Sequence, residues 1–192
     1  MTPELPRFDT ARLRLRMAQP SDAAAIVAFL DEEREFLAPF EPVRPAEYYS
    51  EEYWRLQAAR LVQEFIDGRS LRVWLFDAQE PLRVLGRANL SRVERGGFHA
   101  CNLGYALRRS AQGKGLMKEA LEPLLAYAFG PMNLHRIEAN YMPHNERSGR
   151  LLRRLGFREE GLAREYLFIN GQWQDHVLTS LTNRRWAASK QE

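Results

Sequence analysis

Polar and apolar residues alternate strictly along Ala11-Arg12-Leu13-Arg14-Leu15-Arg16-Met17. A period of two predicts a half-buried first strand. The pattern then changes. Pro20-Ser21-Asp22 offers a cap, and the apolar run 23–30 predicts a helix. Pro39, Pro42 and Pro45 break the chain into a loop. Ser50, followed by Glu51 and Glu52, opens a longer helix through Trp54, Leu61, Val62, Phe65 and Ile66, and Gly68 closes it. Strands follow at 71–76, 84–90 and 98–107, joined by short turns that include Gly96-Gly97. Links this short predict an antiparallel meander. A helix then carries Leu121, Leu124, Leu125 and Ala128 at helical spacing, with Pro123 inside it as an expected kink. After a strand at 136–141, Asn145 leads into a helix bearing Leu151, Leu152 and Leu155, closed by Gly156 with Phe157 behind it. Tyr166-Leu167-Phe168-Ile169, Asn170-Gly171 and 173–181 read as a hairpin, because Asn-Gly favours the tightest hairpin turn. The residues from Ala187 read as a frayed tail.

One junction in this order carries chemistry. Asn102-Leu103-Gly104-Tyr105-Ala106-Leu107 is extended, 108–115 is a polar turn, and Leu116-Met117-Lys118-Glu119-Ala120-Leu121 starts a helix. The first N–H groups of a helix have no intrahelical partner and sit at the positive end of its dipole. Gly113 and Gly115 let an anion approach that backbone closely. A phosphate or pyrophosphate suits this turn. A P-loop is excluded, because position 108 is Arg and Gly115 follows Lys114. The dinucleotide fingerprint is excluded because its third glycine position, 118, is Lys.

Composition narrows the class only a little. The chain has 192 residues, 45% hydrophobic and 28% charged, which suits a single domain over 1–192 with a real core. No run approaches the ~20 apolar residues of a membrane span. A single cysteine, Cys101, excludes an internal disulfide and fits a reducing cytoplasm, the expected location. His99-x-Cys101 is the only close His/Cys pair, so no metal site is expected. A net charge of +3 with local Arg clusters suits an acidic ligand or ribosomal surroundings, and sequence-specific DNA binding is not expected.

The turn at 110–115 resembles the pyrophosphate motif of the GNAT acyl-CoA N-acetyltransferases, Arg/Gln-x-x-Gly-x-Gly/Ala, with Ser110 where Arg or Gln is usual. The element order β-α-α-β-β-β-α-β-α-β-β is also that of this superfamily and covers nearly the whole chain. The fold implied is α+β: a mixed central sheet of about six to seven strands with helices on both faces. Arg34-Glu35-Phe36-Leu37, Glu41-Pro42-Val43-Arg44, Gln112-Gly113-Lys114-Gly115-Leu116-Met117, Asn140-Tyr141-Met142-Pro143-His144-Asn145 and Gly171-Gln172-Trp173 resemble the bacterial branch that acetylates the N-terminal alanine of a small-subunit ribosomal protein.

The resemblance implies acetyl-CoA as acetyl donor, a ribosomal protein N-terminus as acceptor, and direct attack of the amine in a ternary complex. It implies that the fourth and fifth strands splay and hold the pantetheine arm along Tyr105, Ala106 and Leu107. The pyrophosphate is implied on Gln112, Gly113, Lys114, Gly115, Leu116 and Met117, with Asn140 and Asn145 at the cleft. Ser148 is the implied proton donor to the leaving thiolate, with Tyr141 second. An α-amine has a pKa near ~8, so a strongly tuned base is optional. Glu138, on the fifth strand, is the best-placed carboxylate for that task. A related branch has its catalytic Glu where this chain has Leu167, which leaves Glu165 and Asp175 as substitutes.

Several of these residues have plainer uses. Asn145 and Ser148 suit ordinary helix capping. Arg147, Arg150, Arg154 and Arg158, spaced to line one side of the last helix, suit a solvated face, the 3′-phosphate of coenzyme A or ribosomal RNA. Phe36, Leu37, Tyr53 and Trp54 suit core packing. The competing functional classes are an acetyltransferase for another protein or a small amine, and a ribosome-binding assembly factor, for which Arg184-Arg185-Trp186 speaks.

Overall fold

A computed structural model describes residues 4–187. Most of the expected tail, 188–192, lies outside the described residues. One eight-stranded sheet runs through the molecule in the order β1-β2-β3-β4-β5-β6-β8-β7. Its strands are β1 (Arg7–Asp9), β2 (Leu13–Arg16), β3 (Leu71–Asp77), β4 (Val84–Glu94), β5 (Ala100–Leu107), β6 (Arg136–Glu138), β7 (Arg158–Ile169) and β8 (Gln172–Thr182). The helices are α1 (Ala23–Glu32), α2 (Arg34–Leu37), α3 (Glu51–Ile66), α4 (Leu116–Phe129) and α5 (Glu146–Arg154).

The sheet has one strand more than the pattern predicts. Arg7–Asp9 is too short to show a period of its own, and it is held by pairing Phe8 with Leu15. Other boundaries move. The meander's last strand starts at Ala100, because His99 takes a left-handed φ of +45° that an extended strand cannot contain. The strand expected at 136–141 ends at Glu138. The late hairpin's first strand begins at Arg158, eight residues before the apolar run that signals it. Its extra length is charged, and bulges between Glu159 and Gly161 and between Ala163 and Leu167 break the alternation.

Burial explains the layers. In β3 the consecutive residues Val73, Trp74, Leu75 and Phe76 are all buried, so both sheet faces are covered. Trp74 packs edge-on against Phe29 of α1 and Trp54 of α3, with ring centroids 5.9 and 5.2 Å apart. Leu121, Leu124 and Ala128 of α4 are fully buried. That helix runs through Pro123 without interruption. Trp54 is core, as its spacing suggests, and Leu37 and Tyr53 pack against that core. The Ser50 hydroxyl caps α3 by accepting from the Tyr53 N–H at 3.2 Å.

Strands β2 to β5 form the expected antiparallel meander. The α4 crossover returns the chain parallel to β5, but only Ala100, Cys101 and Asn102 find partners, in Arg136, Ile137 and Glu138. Beyond that point the chain turns to β8, where the Ala139 N–H donates to the Thr179 carbonyl at 3.0 Å and Tyr141 bridges Val177. Residues 103–107 of β5 therefore pair with β4 alone. Asn170 and Gly171 take φ of +47° and +76° in the β7–β8 turn, the left-handed values a type I′ hairpin needs.

Candidate active site

The junction after β5 folds as its residues dictate. Arg108 is buried, and its N–H donates to the Leu85 carbonyl at 2.7 Å, anchoring the strand end to β4. A single 3₁₀ turn, Arg109–Ala111, follows. Gly113 and Gly115 then both adopt φ near +77°, at +76° and +78°, a conformation L side chains seldom take. Gly115 is the N-cap of α4. Among the described residues, the backbone N–H groups of 113–118 donate no hydrogen bond. A Cβ at Gly113 would meet nothing within 4 Å, and one at Gly115 only the Arg12 guanidinium at 3.8 Å. A ring of unpartnered donors with open space in front of it is an anion seat.

The seat is braced from both sides. Arg12 donates from Nη1 to the Lys114 carbonyl at 3.0 Å and from Nε to Glu119 at 2.8 Å. Burial would raise the Glu119 carboxyl, but hydrogen bonds from Thr10 and Arg12 hold it below its ordinary value. On the other side, Gln112 donates to the Leu107 carbonyl at 3.1 Å and accepts from Arg147 of α5.

The start of α5 faces β5. Asn145 caps the helix by accepting from the Ser148 N–H at 3.2 Å. The Ser148 hydroxyl in turn hydrogen-bonds the Tyr105 hydroxyl at 2.7 Å. Burial pushes the Tyr105 phenol up to about 12, the Ser148 bond pulls against that, and nearby Tyr141 adds to it. The Tyr141 ring lies over Gly149: a Cβ there would come within 2.7 Å of it. Three hydroxyl groups thus gather where α5 meets the unpaired stretch of β5. A phenol near 12 keeps its proton at neutral pH, so Tyr105 stays neutral and can share its hydroxyl proton in a hydrogen bond with Ser148.

The carboxylates lie elsewhere. Glu138 accepts from Arg136 Nε at 2.9 Å and from Asn102 Nδ2 at 3.5 Å, and it lines a cavity of about 70 Å³ with Cys101, Asn102 and Tyr166. It shares its sheet face with Asn102, whereas Tyr105, three residues on, projects from the other. Glu165 donates its N–H to Asp175 at 2.9 Å, so those two serve each other in the hairpin. Asn140 donates to the Tyr166 hydroxyl at 3.3 Å and accepts from the Thr179 N–H at 3.1 Å, which fixes the diverging chain. The expected arginine row is broken, since Arg158 belongs to β7 and Arg150 pairs with Glu146 at 2.8 Å. The His99 ring packs at a tilt against Trp186, with centroids 4.9 Å apart. Among the described residues no three His, Cys, Asp or Glu side chains gather as a metal site.

Two features escaped the sequence reading. The Tyr105 side chain was expected to be only a strand residue. The second is a buried ion network: Arg87 of β4 donates to Glu41 and to the Tyr48 hydroxyl. Burial opposes its charge, but Tyr48 and Glu41 raise its pKa above the ordinary value. A signal existed, because Arg87 interrupts the apolar strand Val84-Leu85-Gly86-Arg87-Ala88, and a buried arginine requires partners.

Residues 12–158 match the model of the acetyltransferase (GNAT) domain. The chain belongs to the GNAT acetyltransferase family. Its curated relatives include the [ribosomal protein uS5]-alanine N-acetyltransferase of Escherichia coli, 45% identical over 96% of this chain and 94% of the relative. Among solved structures, the ribosomal-protein-S5-alanine acetyltransferase of Vibrio fischeri superposes with a TM-score of 0.91, at 36% identity over 95% of this chain and 100% of that one. Mycobacterium smegmatis RimJ in complex with CoA-disulfide superposes with a TM-score of 0.82, at 30% identity over 92% of this chain and 85% of that one. The GNAT chain described here is an acetyl-CoA-dependent N-acetyltransferase. Its residues fit that donor: unpartnered N–H groups at 113–118 suit a pyrophosphate, and the unpaired stretch 103–107 of β5 suits the amide-bearing pantetheine arm. No helix among the described residues is long and apolar enough to cross a membrane.

Proposed function

We propose that this enzyme acetylates the N-terminal alanine amine of a small-subunit ribosomal protein, by direct attack of that amine in a ternary complex. The observation that carries the proposal is 45% identity to the uS5-alanine enzyme along 96% of the chain, which leaves no site element outside the match. Acetyl-CoA supplies the activated acetyl group when bound, held by Tyr105, Ala106 and Leu107 through the backbone and by the loop from Gln112 to Met117. Ser148 holds the proton that a departing thiolate requires, and the Tyr105 hydroxyl orients it. Tyr141, over Gly149, is the reserve donor. Asn145 fixes the Ser148 backbone. Asn140 holds the chain at the point where it leaves β5 for β8. Glu138 is the carboxylate assigned to accept the amine proton through water, with Asn102 bracing its second oxygen. The acceptor's own pKa near ~8 keeps that demand small.

Intact-mass spectrometry tests this reading. The protein is incubated with acetyl-CoA and peptides that begin with free Ala and contain an internal Lys, begin with Ser, or are N-terminally blocked. One acetyl group on the free Ala terminus, with the blocked peptide untouched, is expected. Acetylation of the blocked peptide's lysine, or transfer to small amines alone, would overturn it.

A further inference from the structure

A second cavity, of about 160 Å³, opens between the end of α1, α2, the loop 38–44, the turn at 46–49 and the tip of the β7–β8 hairpin. Its walls include Arg34, Glu41, Arg44, Tyr48, Tyr49 and Asn170. The Asn170 N–H donates to the Glu41 carbonyl at 3.0 Å and ties the hairpin to the loop. The cavity is not part of the phosphate seat or of the hydroxyl cluster at α5.

Its charges do not balance. Glu41 is committed to the buried Arg87 beneath it. Arg34 lies over the Tyr49 ring at 4.0 Å and Arg44 over the Tyr48 ring at 5.0 Å. Among the described residues neither guanidinium has a carboxylate partner or donates a hydrogen bond. A guanidinium held over an aromatic ring by cation–π attraction, with no hydrogen-bond partner, has N–H groups left to grip a carboxylate. The walls therefore present two cationic forks and one neutralised acid.

Its position ties it to the reaction. Arg87 is the register partner of Ala106, on the strand that holds the acyl donor. The chain of contacts runs from Ala106 through Arg87 and Glu41 to the cavity mouth. At about 160 Å³ it falls below the ~300 Å³ floor of pockets for whole small molecules and suits one side chain.

We propose that this cavity is a specificity subsite for the acceptor, one that takes the carboxylate of an Asp or Glu a few residues behind the reacting N-terminus. This rests on the N-terminal acceptor reading above. Glutamate is walked through positions 2–6 of a free-Ala peptide, against glutamine at the same place, and kcat/KM is measured for each. One position is expected where Glu→Gln costs the wild type about tenfold, chiefly in KM, as loss of a charge-assisted pair implies. In the double variant Arg34→Gln/Arg44→Gln that Glu/Gln ratio should fall to about one. Calorimetry with the CoA-loaded protein and the same peptides reads the subsite whether or not acetyl passes. Ala-peptide acetylation with no acid preference at any position would overturn the subsite and leave the acceptor reading standing. No peptide acetylated would overturn the acceptor reading, and calorimetry would then decide the subsite alone. Binding of short single-stranded RNA that the double variant loses, with no peptide preference, would also overturn it.

Discussion

The Ser148 hydroxyl can be removed without removing the helix that carries it. In Ser148→Ala the N–H that Asn145 caps at 3.2 Å remains, because it is backbone. What disappears is the 2.7 Å bond to Tyr105, which leaves a half-buried phenol without its partner. An orphaned hydroxyl that is half-buried costs at most about 1–3 kcal/mol. For a chain of this length each kcal/mol lowers Tm by roughly 2–4 °C, so a fall of roughly 2–12 °C is expected by calorimetry. Turnover should fall much further, about 10²–10⁴-fold, the range of a lost proton donor. The phosphate seat and the unpaired stretch of β5 are untouched, so acetyl-CoA affinity should hold within about twofold. The double variant Ser148→Ala/Tyr105→Phe separates stability from chemistry. It removes both partners, so most of the Tm should return. Turnover should stay low. Wild-type turnover in the single variant refutes the role of Ser148, and recovery of turnover together with Tm in the double variant would show that the defect was only loosened packing.

Gly115→Asp places a carboxylate among the unpartnered N–H groups, at a backbone φ of +78°. Acetyl-CoA Kd should rise at least ~10-fold by calorimetry, and unchanged affinity removes the loop from the assignment. Glu119 titrates below its usual value, so the folded state binds fewer protons there than the unfolded chain does. Its stabilisation is full above the unfolded value of ~4.3 and is lost as pH falls through the lower folded one. The urea-midpoint gap between wild type and Glu119→Gln should therefore be constant above about pH 5 and shrink below it, and a gap unchanged to about pH 3 sinks the clamp. The Cys101 thiol is pushed up to about 12, first by burial and then by the Glu138 charge. Its labelling by a disulfide reagent at about pH 8 should track global unfolding, whereas rapid labelling of the native protein contradicts that burial.

Much of this fold could be read from periodicity. The alternation at 11–17, the Asn170-Gly171 turn and the glycine stop after α5 all folded as their local physics requires. In that last case the Phe157 N–H reaches the Leu152 carbonyl at 3.0 Å, closing the helix end. Gly113 and Gly115 likewise took the left-handed conformations that made them worth naming. What stayed hidden depends on contacts far apart in sequence. Strand β1 exists only because Leu15 offers Phe8 a partner. The Tyr105–Ser148 bond spans 43 residues and the Arg87–Glu41 pair 46, and no window of sequence carries either. Glu138 was placed on the right strand, yet its engagement with Arg136 depends on the sheet face, and the shortened strand fixes that face.

The shortness of β6 explains why a site exists here at all. Within this eight-stranded sheet, β5 and β6 part after Asn102 and Glu138. An unpaired strand edge inside a protein is a liability, since its N–H and C=O groups lack partners. Two side chains close on it: Gln112 donates to the Leu107 carbonyl on the backbone edge, and Ser148 hydrogen-bonds the Tyr105 side-chain hydroxyl beside it. Both lie on elements that reach the gap from outside the sheet, Gln112 on the phosphate loop and Ser148 on α5, and Arg147 joins those two elements. A linear, amide-bearing arm with an anionic end meets every remaining demand of that gap: strand-like pairing along β5, then negative charge at the start of α4. Lengthening β6 to its expected end at Tyr141 would satisfy the edge with protein and close the gap. The interruption is thus the feature on which the proposed seat for the acyl carrier rests.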